Sequence, residues 1–363
     1  MPQRKLGVLI HGAGWVSTQH IDAYKKNPQV QILAICSLTV DEGKARATSS
    51  GLEGITFYDD LNKALAHPGI DIVSICTPQQ FHPANAITVA KAGKHMVIEK
   101  PAAMELSDLR AMQAAVTQAK VKTLVGFVLR WNPLFRTLKR MAADGAFGSI
   151  YSVETDYHSY CGDWWGGYRE GRTIKAGGNA YLSAGCHAID ALRWFASGDE
   201  FGTADPVEVF GWAGGKRGQS TRQYHPIKNS WHEGEPLEFP GLEMAMIRFS
   251  NGVLGKVSVN FECIQPYGFP IRIFGDQGTV KDNKVWSHKY PGQKDWVTLP
   301  VICPDSSDVS HHPFQGEIDH FVECVLTDRE SHCNLADAVK THEIIFALQQ
   351  CYKSGAPVKL PLR

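Results

Sequence analysis

A glycine turn, Gly12-Ala13-Gly14-Trp15-Val16-Ser17, stands between an apolar run at Leu6–His11 and a helical stretch at Thr18–Lys26. Gly12 permits a tight exit from a strand, and Gly14 leaves the backbone open to close approach by a pyrophosphate. The helix that follows offers N–H groups and the positive end of its dipole. Ser17 fills the third position, where a small residue lets helix pack on strand. The first third of the chain keeps this strand–helix rhythm. Strands are expected at Leu6–His11, Val30–Cys36, Ile55–Tyr58, Asp71–Cys76, His95–Glu99 and Thr123–Gly126. Helices are expected at Thr18–Lys26, Asp41–Thr48, Leu61–His67, Pro83–Ala92 and Ser107–Ala119, with Asp41 and Ser107 placed as N-caps. The nearly unbroken apolar run Val30-Gln31-Ile32-Leu33-Ala34-Ile35 fits a strand buried on both faces of a parallel sheet. The expectation is an α/β, doubly wound parallel domain of the Rossmann type over residues 1–127.

The pattern changes beyond residue 127. A helix near Asn132–Ala143 precedes a strand at Ser149–Tyr157, an aromatic, glycine-rich loop at Ser159–Gly178 and a helix at Ser183–Ala196. From Val207 to Leu299 the chain reads as antiparallel strands, with hairpin turns at Asn251-Gly252 and Asp282-Asn283. Gly214–Pro236 reads as a loop, and helices at Gln315–Leu326 and Leu335–Lys353 close the chain. Residues 128–363 are therefore expected to form an α+β domain on a large open antiparallel sheet. The strands Leu242–Phe249 and Val257–Phe261 alternate apolar residues with mixed ones. That pattern leaves one sheet face for a subunit contact, so at least a homodimer, or a homotetramer, is expected.

Composition removes several function classes. Lys+Arg and Asp+Glu are 37 each, giving a net charge of zero and no electrostatic drive toward nucleic acid. No apolar run reaches the ~18–20 residues that span a bilayer, so no membrane role is expected. Nine cysteines without a CxxC pair fit reduced thiols in a cytoplasmic protein. Cys161, Cys186, His158 and His187 match no zinc spacing, so no metal is expected.

The second strand should end on the residue that reads the adenosine ribose, where an acid selects NAD and an arginine accepts the NADP phosphate. Ser37 stands there, followed by Leu38 and Thr39. Lys44 and Arg46 read as solvated helix charges, and Asp41 as a cap. With no base next to Ser37, the expectation leans to NAD over NADP.

Two further strings follow: Thr77-Pro78-Gln79-Gln80-Phe81-His82 after the fourth strand, and Gly93-Lys94-His95-Met96-Val97-Ile98-Glu99-Lys100-Pro101 around the fifth. With Arg130, Asn132-Pro133, Gly177-Gly178 through Asp190, and Glu317-Ile318-Asp319-His320-Phe321, they make the chain resemble the glucose–fructose oxidoreductase / inositol dehydrogenase / MocA (Gfo/Idh/MocA) family along essentially its whole length. The resemblance implies an NAD(P)-dependent oxidoreductase acting on a secondary alcohol of a sugar, cyclitol or glycoside. It implies cofactor contacts from Gly12, Gly14, Trp15, Val16, Ser37, Thr77, Pro78, His82, Glu99, Lys100 and Arg130. It also implies His187 as general acid/base.

Lys100 has a reading of its own. A lysine at the C-terminal end of a parallel strand points into the ligand crevice of such sheets and can polarise a substrate oxygen. His187 lies in an otherwise apolar helix, and an imidazole suits the proton released in alcohol oxidation. Four residues earlier the family usually has Asp, and this chain has Ser183. Asp190 is read as a brace for the helix. Tyr157, His158, Trp164 and Trp165, from the aromatic stretch, join Lys100, Ser183 and His187 as expected substrate contacts, since sugars take aromatic faces and polar groups together. Two rival readings stand beside the dehydrogenase. One is an enzyme whose tightly held NAD oxidises a glycoside transiently, so that a bond can be cleaved or a second substrate reduced. The other is a non-catalytic dinucleotide-binding regulator, which Lys100 and His187 argue against.

Overall fold

The structure is a computed structural model that describes residues 4–160, 169–215, 222–225, 230–265, 267–304 and 312–362. It divides into two compact units, residues 1–127 with 313–339 and residues 128–312 with 340–363.

The first unit follows the alternation. Its elements are β1 (Leu6–His11), α1 (Trp15–Lys26), β2 (Val30–Cys36), α2 (Val40–Ser49), β3 (Thr56–Tyr58), α3 (Leu61–Leu65), β4 (Ile70–Ile75), α4 (His82–Lys91), β5 (His95–Ile98), α5 (Leu106–Ala119) and β6 (Thr123–Val125). The six strands pair in parallel in the order β3-β2-β1-β4-β5-β6. The order reverses between β1 and β4, which opens the ligand crevice of a doubly wound sheet above their C-terminal ends. Val8, Leu9, Ile10, Ile35, Val73 and Ile98 are fully buried between the helix layers. Two caps differ from expectation. Thr39, not Asp41, caps α2, its hydroxyl accepting from the Glu42 N–H. Glu105 occupies the cap position of α5, two residues ahead of the expected Ser107. In both cases the chain takes up helical dihedrals earlier than the polar residue nearest the apolar pattern suggested.

The second unit is built on a nine-stranded sheet. It contains α6 (Pro133–Ala143), β7 (Ile150–His158), α7 (Ile174–Gly177), α8 (Cys186–Ala196), β8 (Pro206–Gly214), β9 (Arg222–His225), β10 (Ser230–Glu233), β11 (Leu242–Phe249), β12 (Leu254–Asn260), β13 (Ile271–Gly275), β14 (Gly278–Lys281), β15 (Lys284–Ser287) and β16 (Val297–Thr298). The sheet order is β16-β15-β14-β13-β7-β12-β11-β8-β17, with β17 at Val358–Lys359. Both expected hairpins form, β11–β12 across Asn251-Gly252 and β14–β15 across Asp282-Asn283. The sheet is mixed rather than wholly antiparallel, because β7 pairs with β12 in parallel at its centre. β7 follows α6, and α7 and α8 come before the next strand, so no hairpin imposes an antiparallel neighbour on β7. Within the stretch expected to be loop, β9 and β10 pair as a separate two-stranded ribbon. Residues 216–221 and 226–229 of that stretch lie outside the described residues.

α8 lies on one sheet face, with the Thr155 hydroxyl donating to the Ala188 carbonyl at 2.8 Å. The opposite face carries Trp212, Met244, Met246 and Leu254, all exposed. α9 (Phe314–Leu326) falls in the first unit and packs on α1, so the expected assignment of all of 128–363 to the second domain changes. Its apolar side, including Ile318 and Phe321, is fully buried. α10 (Leu335–Ser354) begins in the first unit and continues in the second. Among the described residues no helix is long and apolar enough to cross a membrane.

Candidate functional site

Each unit gathers part of the expected chemistry. In the first, the glycine turn crosses from β1 to α1. Gly12 has φ +108°, and a Cβ there would meet the Cys76 and Thr77 backbone at 2.6–2.8 Å. Only glycine fits. Gly14 faces open space, with nothing within 4 Å of a Cβ position. α1 starts at Trp15 with no side-chain cap and no acidic residue in its first turn. An uncapped helix start beside an open backbone favours an anion, so these residues fit a dinucleotide pyrophosphate. Ser17 is buried and closes the turn, its hydroxyl donating to the Gly14 carbonyl at 2.7 Å. Arg46 is not a solvated charge: Nε and Nη2 both donate to the Ala13 carbonyl at 3.0 Å and tie α2 to the turn. The Ser37 hydroxyl donates to the Thr39 carbonyl at 2.7 Å, and Leu38 beside it is 85% exposed.

At the ends of β4 and β5 the structure brings together Thr77, Pro78, His82, Glu99 and Lys100. His82 is buried, with its ring nitrogens each 2.8 Å from a carbonyl oxygen, Nδ1 from Pro101 and Nε2 from Thr77. Burial holds it below the ordinary histidine range, against the pull of those acceptors. The Thr77 hydroxyl accepts from the Asn85 amide at 3.0 Å. Glu99 is buried rather than open to ligand. One oxygen accepts from His20 Nε2 at 2.9 Å and the other from the Lys100 N–H at 3.2 Å. His20 Nδ1 lies 2.7 Å from the Ser74 hydroxyl. Burial opposes charge on His20, but Cys76 and Glu99 outweigh it and hold the ring well above its usual range. Burial likewise opposes the Glu99 carboxylate, and His20 overcomes it, so Glu99 ionises below its usual range. A strand-end carboxylate bonded to its neighbour's N–H fixes the backbone from which Lys100 projects. Sequence reasoning did not single out His20, which there is one polar residue among several on α1.

In the second unit the helix carrying His187 is not continuous. Tyr181–Gly185 forms a π-helical turn, and α8 begins only at Cys186. His187 is therefore the second residue of α8, and Ser183 sits in the wider turn before it rather than one α-helical turn back on the same face. The Ala180 N–H donates to Glu243 at 2.7 Å and the Tyr181 hydroxyl to the Val257 carbonyl at 2.9 Å, which pins the turn to the sheet. Gly185 permits the approach: a Cβ there would meet Val259 at 2.8 Å and Tyr181 at 2.9 Å.

His187 faces an aromatic wall. Phe269 stands edge-on at 6.1 Å between ring centroids, and His312 at 6.4 Å. Tyr157 packs at 4.9 Å from Phe269 and 5.5 Å from Tyr267. Tyr157 is buried in that wall and is not an open face for a sugar. His158, next along β7, points to the other side of the sheet, where Nδ1 meets the Gln265 amide at 3.0 Å. Successive strand residues alternate, so the two could not both line one site. Trp164 and Trp165 lie outside the described residues.

Arg130 also departs from its expected cofactor role. Its Nε and Nη2 donate to the two Asp190 oxygens at 2.8 and 2.6 Å, in a pair sealed from solvent. That pair braces α8, as expected of Asp190, and the Thr341 hydroxyl adds a bond to Asp190 at 3.3 Å. Tyr267 and His312, absent from the sequence expectations, come from irregular segments where no periodicity marks them. Among the described residues no group of three His, Cys, Asp or Glu could hold a metal ion.

A parallel dinucleotide-type sheet with an open glycine turn, followed by a second unit on a broad mixed sheet, defines a two-unit oxidoreductase with an NAD-binding Rossmann fold. Residues 6–127 match the description "Oxidoreductase family, NAD-binding Rossmann fold", and residues 135–281 match that family's C-terminal domain. D-apiose dehydrogenase of Paraburkholderia graminis is 31% identical over 371 residues, covering 99% of this chain and 90% of its own. The NAD(+)-dependent scyllo-inositol 2-dehydrogenase of Bacillus subtilis is 25% identical, covering 89% and 87%. The solved structure of levoglucosan dehydrogenase in complex with NADH superposes with a TM-score of 0.84 at 21% identity, covering 99% of this chain and all of that one. The chain belongs to the Gfo/Idh/MocA family of oxidoreductases.

Proposed function

We propose that this protein transfers a hydride between NAD and a secondary alcohol carbon of a sugar, cyclitol or glycoside. The observation that carries the reading is His187, an imidazole presented on an aromatic wall in a chain that also holds an open dinucleotide turn. A bound nicotinamide supplies the hydride acceptor or donor. The N–H groups at the start of α1 and the open backbone at Gly14 hold the pyrophosphate. His187 accepts the hydroxyl proton as the alcohol is oxidised and returns it in reduction. Lys100, on a backbone fixed by Glu99, polarises the oxygen on which negative charge develops. Relatives named for D-apiose, scyllo-inositol and levoglucosan support the substrate class. NAD is favoured over NADP because no base adjoins Ser37 and Arg46 is turned onto Ala13. The eight cysteines described as free thiols suit a reducing, cytoplasmic compartment.

The test is a spectrophotometric assay of reduced nicotinamide, with NAD or NADP and a panel containing D-apiose, scyllo-inositol, levoglucosan and simple glycosides. NADH should form with at least one of them. His187→Ala should lower turnover by about 10²–10⁴, the usual contribution of a positioned acid/base, and Lys100→Met by at least as much. Failure of the protein to bind either dinucleotide would remove the proposal, as would wild-type turnover in both variants.

A further inference from the structure

Resting on His187 as the acid/base, we propose that Tyr267 and His312 form a second, hydrogen-bonded arm of that site, through which His187 exchanges its proton. The Tyr267 hydroxyl lies 3.0 Å from His312 Nε2. The His312 ring stands nearly perpendicular to that of His187, at 77° and 6.4 Å between centroids. That is too far for a direct hydrogen bond between the rings and within the span of one bridging oxygen, a water or a substrate hydroxyl other than the reacting one. Phe269 closes the apolar side, 6.1 Å from His187 and 6.5 Å from His312. Among the described residues, the titratable rings set against His312 are His187 from α8 and Tyr267 from the segment before β13.

The phenol both donates and accepts, so it can bond either tautomer of His312. When His312 Nε2–H donates to the Tyr267 oxygen, Nδ1 is the basic nitrogen. A proton on His187 then passes to the bridging oxygen, which releases one of its own to His312 Nδ1. His187 is left neutral, His312 becomes an imidazolium, and the bond to Tyr267 is kept throughout. This arm supplies a proton partner in a chain that has Ser183, not a carboxylate, in the turn before His187. His312 acts through His187 and is a positioning residue in that sense.

The arm is read most directly from imidazole titrations of the full-length protein, labelled with ¹⁵N-histidine and assigned with His187→Ala. A second imidazolium at this range disfavours charge on His187. His312→Gln should therefore raise the His187 midpoint by ~0.5–2 pH units and turn a two-step curve into one step. Tyr267→Phe keeps the ring packing while removing the hydroxyl, and should shift the His312 midpoint. In the turnover assay His312→Gln should lower kcat with little change in the KM for NAD. A His187 midpoint that does not move in His312→Gln overturns the arm, even where His187→Ala abolishes turnover. Wild-type turnover in His187→Ala overturns the functional reading instead, whatever the titrations give.

Discussion

Asp190 and Arg130 show how much one residue pair can decide. Both side chains are withdrawn from water, and each charge is compensated by the other across two short hydrogen bonds. Asp190→Asn should leave the guanidinium buried without a countercharge and lower stability by about 3–5 kcal/mol in urea denaturation. A loss within ~0.5 kcal/mol, the range of an exposed substitution, would show that α8 does not depend on this brace. Glu243 gives a second measurable case. Burial pushes its carboxyl up to about 7, against the bonds from Tyr352 and Ala180 that favour the ionised form. A carboxyl whose folded pKa is raised lends stability that is complete below its unfolded value and is lost as pH climbs through the folded one. Glu243→Gln can still accept from Ala180 and donate to the Tyr352 oxygen, but does not titrate. The variant should gain on wild type by on the order of 2 kcal/mol between pH ~5.5 and ~8, and a constant difference across that range would count against the assignment.

The element on which the site turns is the π-helical Tyr181–Gly185 and the start of α8 behind it. Gly185→Ala forces a methyl against Val259 and Tyr181, so the turn or β12 must shift, at a cost of about 1–3 kcal/mol. The same shift moves His187, two residues on. Turnover should fall more than dinucleotide affinity, and a crystal structure with His187 undisplaced would contradict this. Much of the element plan was legible beforehand, because apolar runs, glycine turns and helical spacing are local signals that each strand and helix carries for itself. The bounds of β1 and β2 and the turn of the β11–β12 hairpin follow from them. What was not legible depends on partners distant in sequence. The bond from Arg130 to Asp190 spans sixty positions, and nothing near Arg130 announces it. The π turn has no distinctive composition, and Tyr267 and His312 sit in irregular chain. The opposed directions of Tyr157 and His158 were available in principle, since the period of a strand separates neighbours, but only once β7 was known to run through both.

For the whole molecule, the open sheet face predicts association. Trp212 lies opposite Met244 in the ladder, and Met246 opposite Phe210, with Leu254 further across. These large apolar groups share a surface that α8 does not cover, of the kind that marks subunit contacts. Sedimentation should give at least a homodimer, and Trp212→Lys with Met246→Lys should shift the population toward monomer. A mass of 40.1 kDa at micromolar concentration would refute this. The division of the chain has a further consequence, in time rather than in space. The unit that carries the glycine turn is assembled from two separate stretches of the sequence, with α9 covering α1 and bringing Glu317, wholly buried, toward Glu99 and His20. A ribosome emits residues 1–127 first and 313–339 only after eight of the nine strands of the second unit's sheet. Through most of the chain's synthesis the nascent dinucleotide unit thus lacks α9 and keeps the flank of α1 uncovered, a period in which exposed apolar surface favours aggregation.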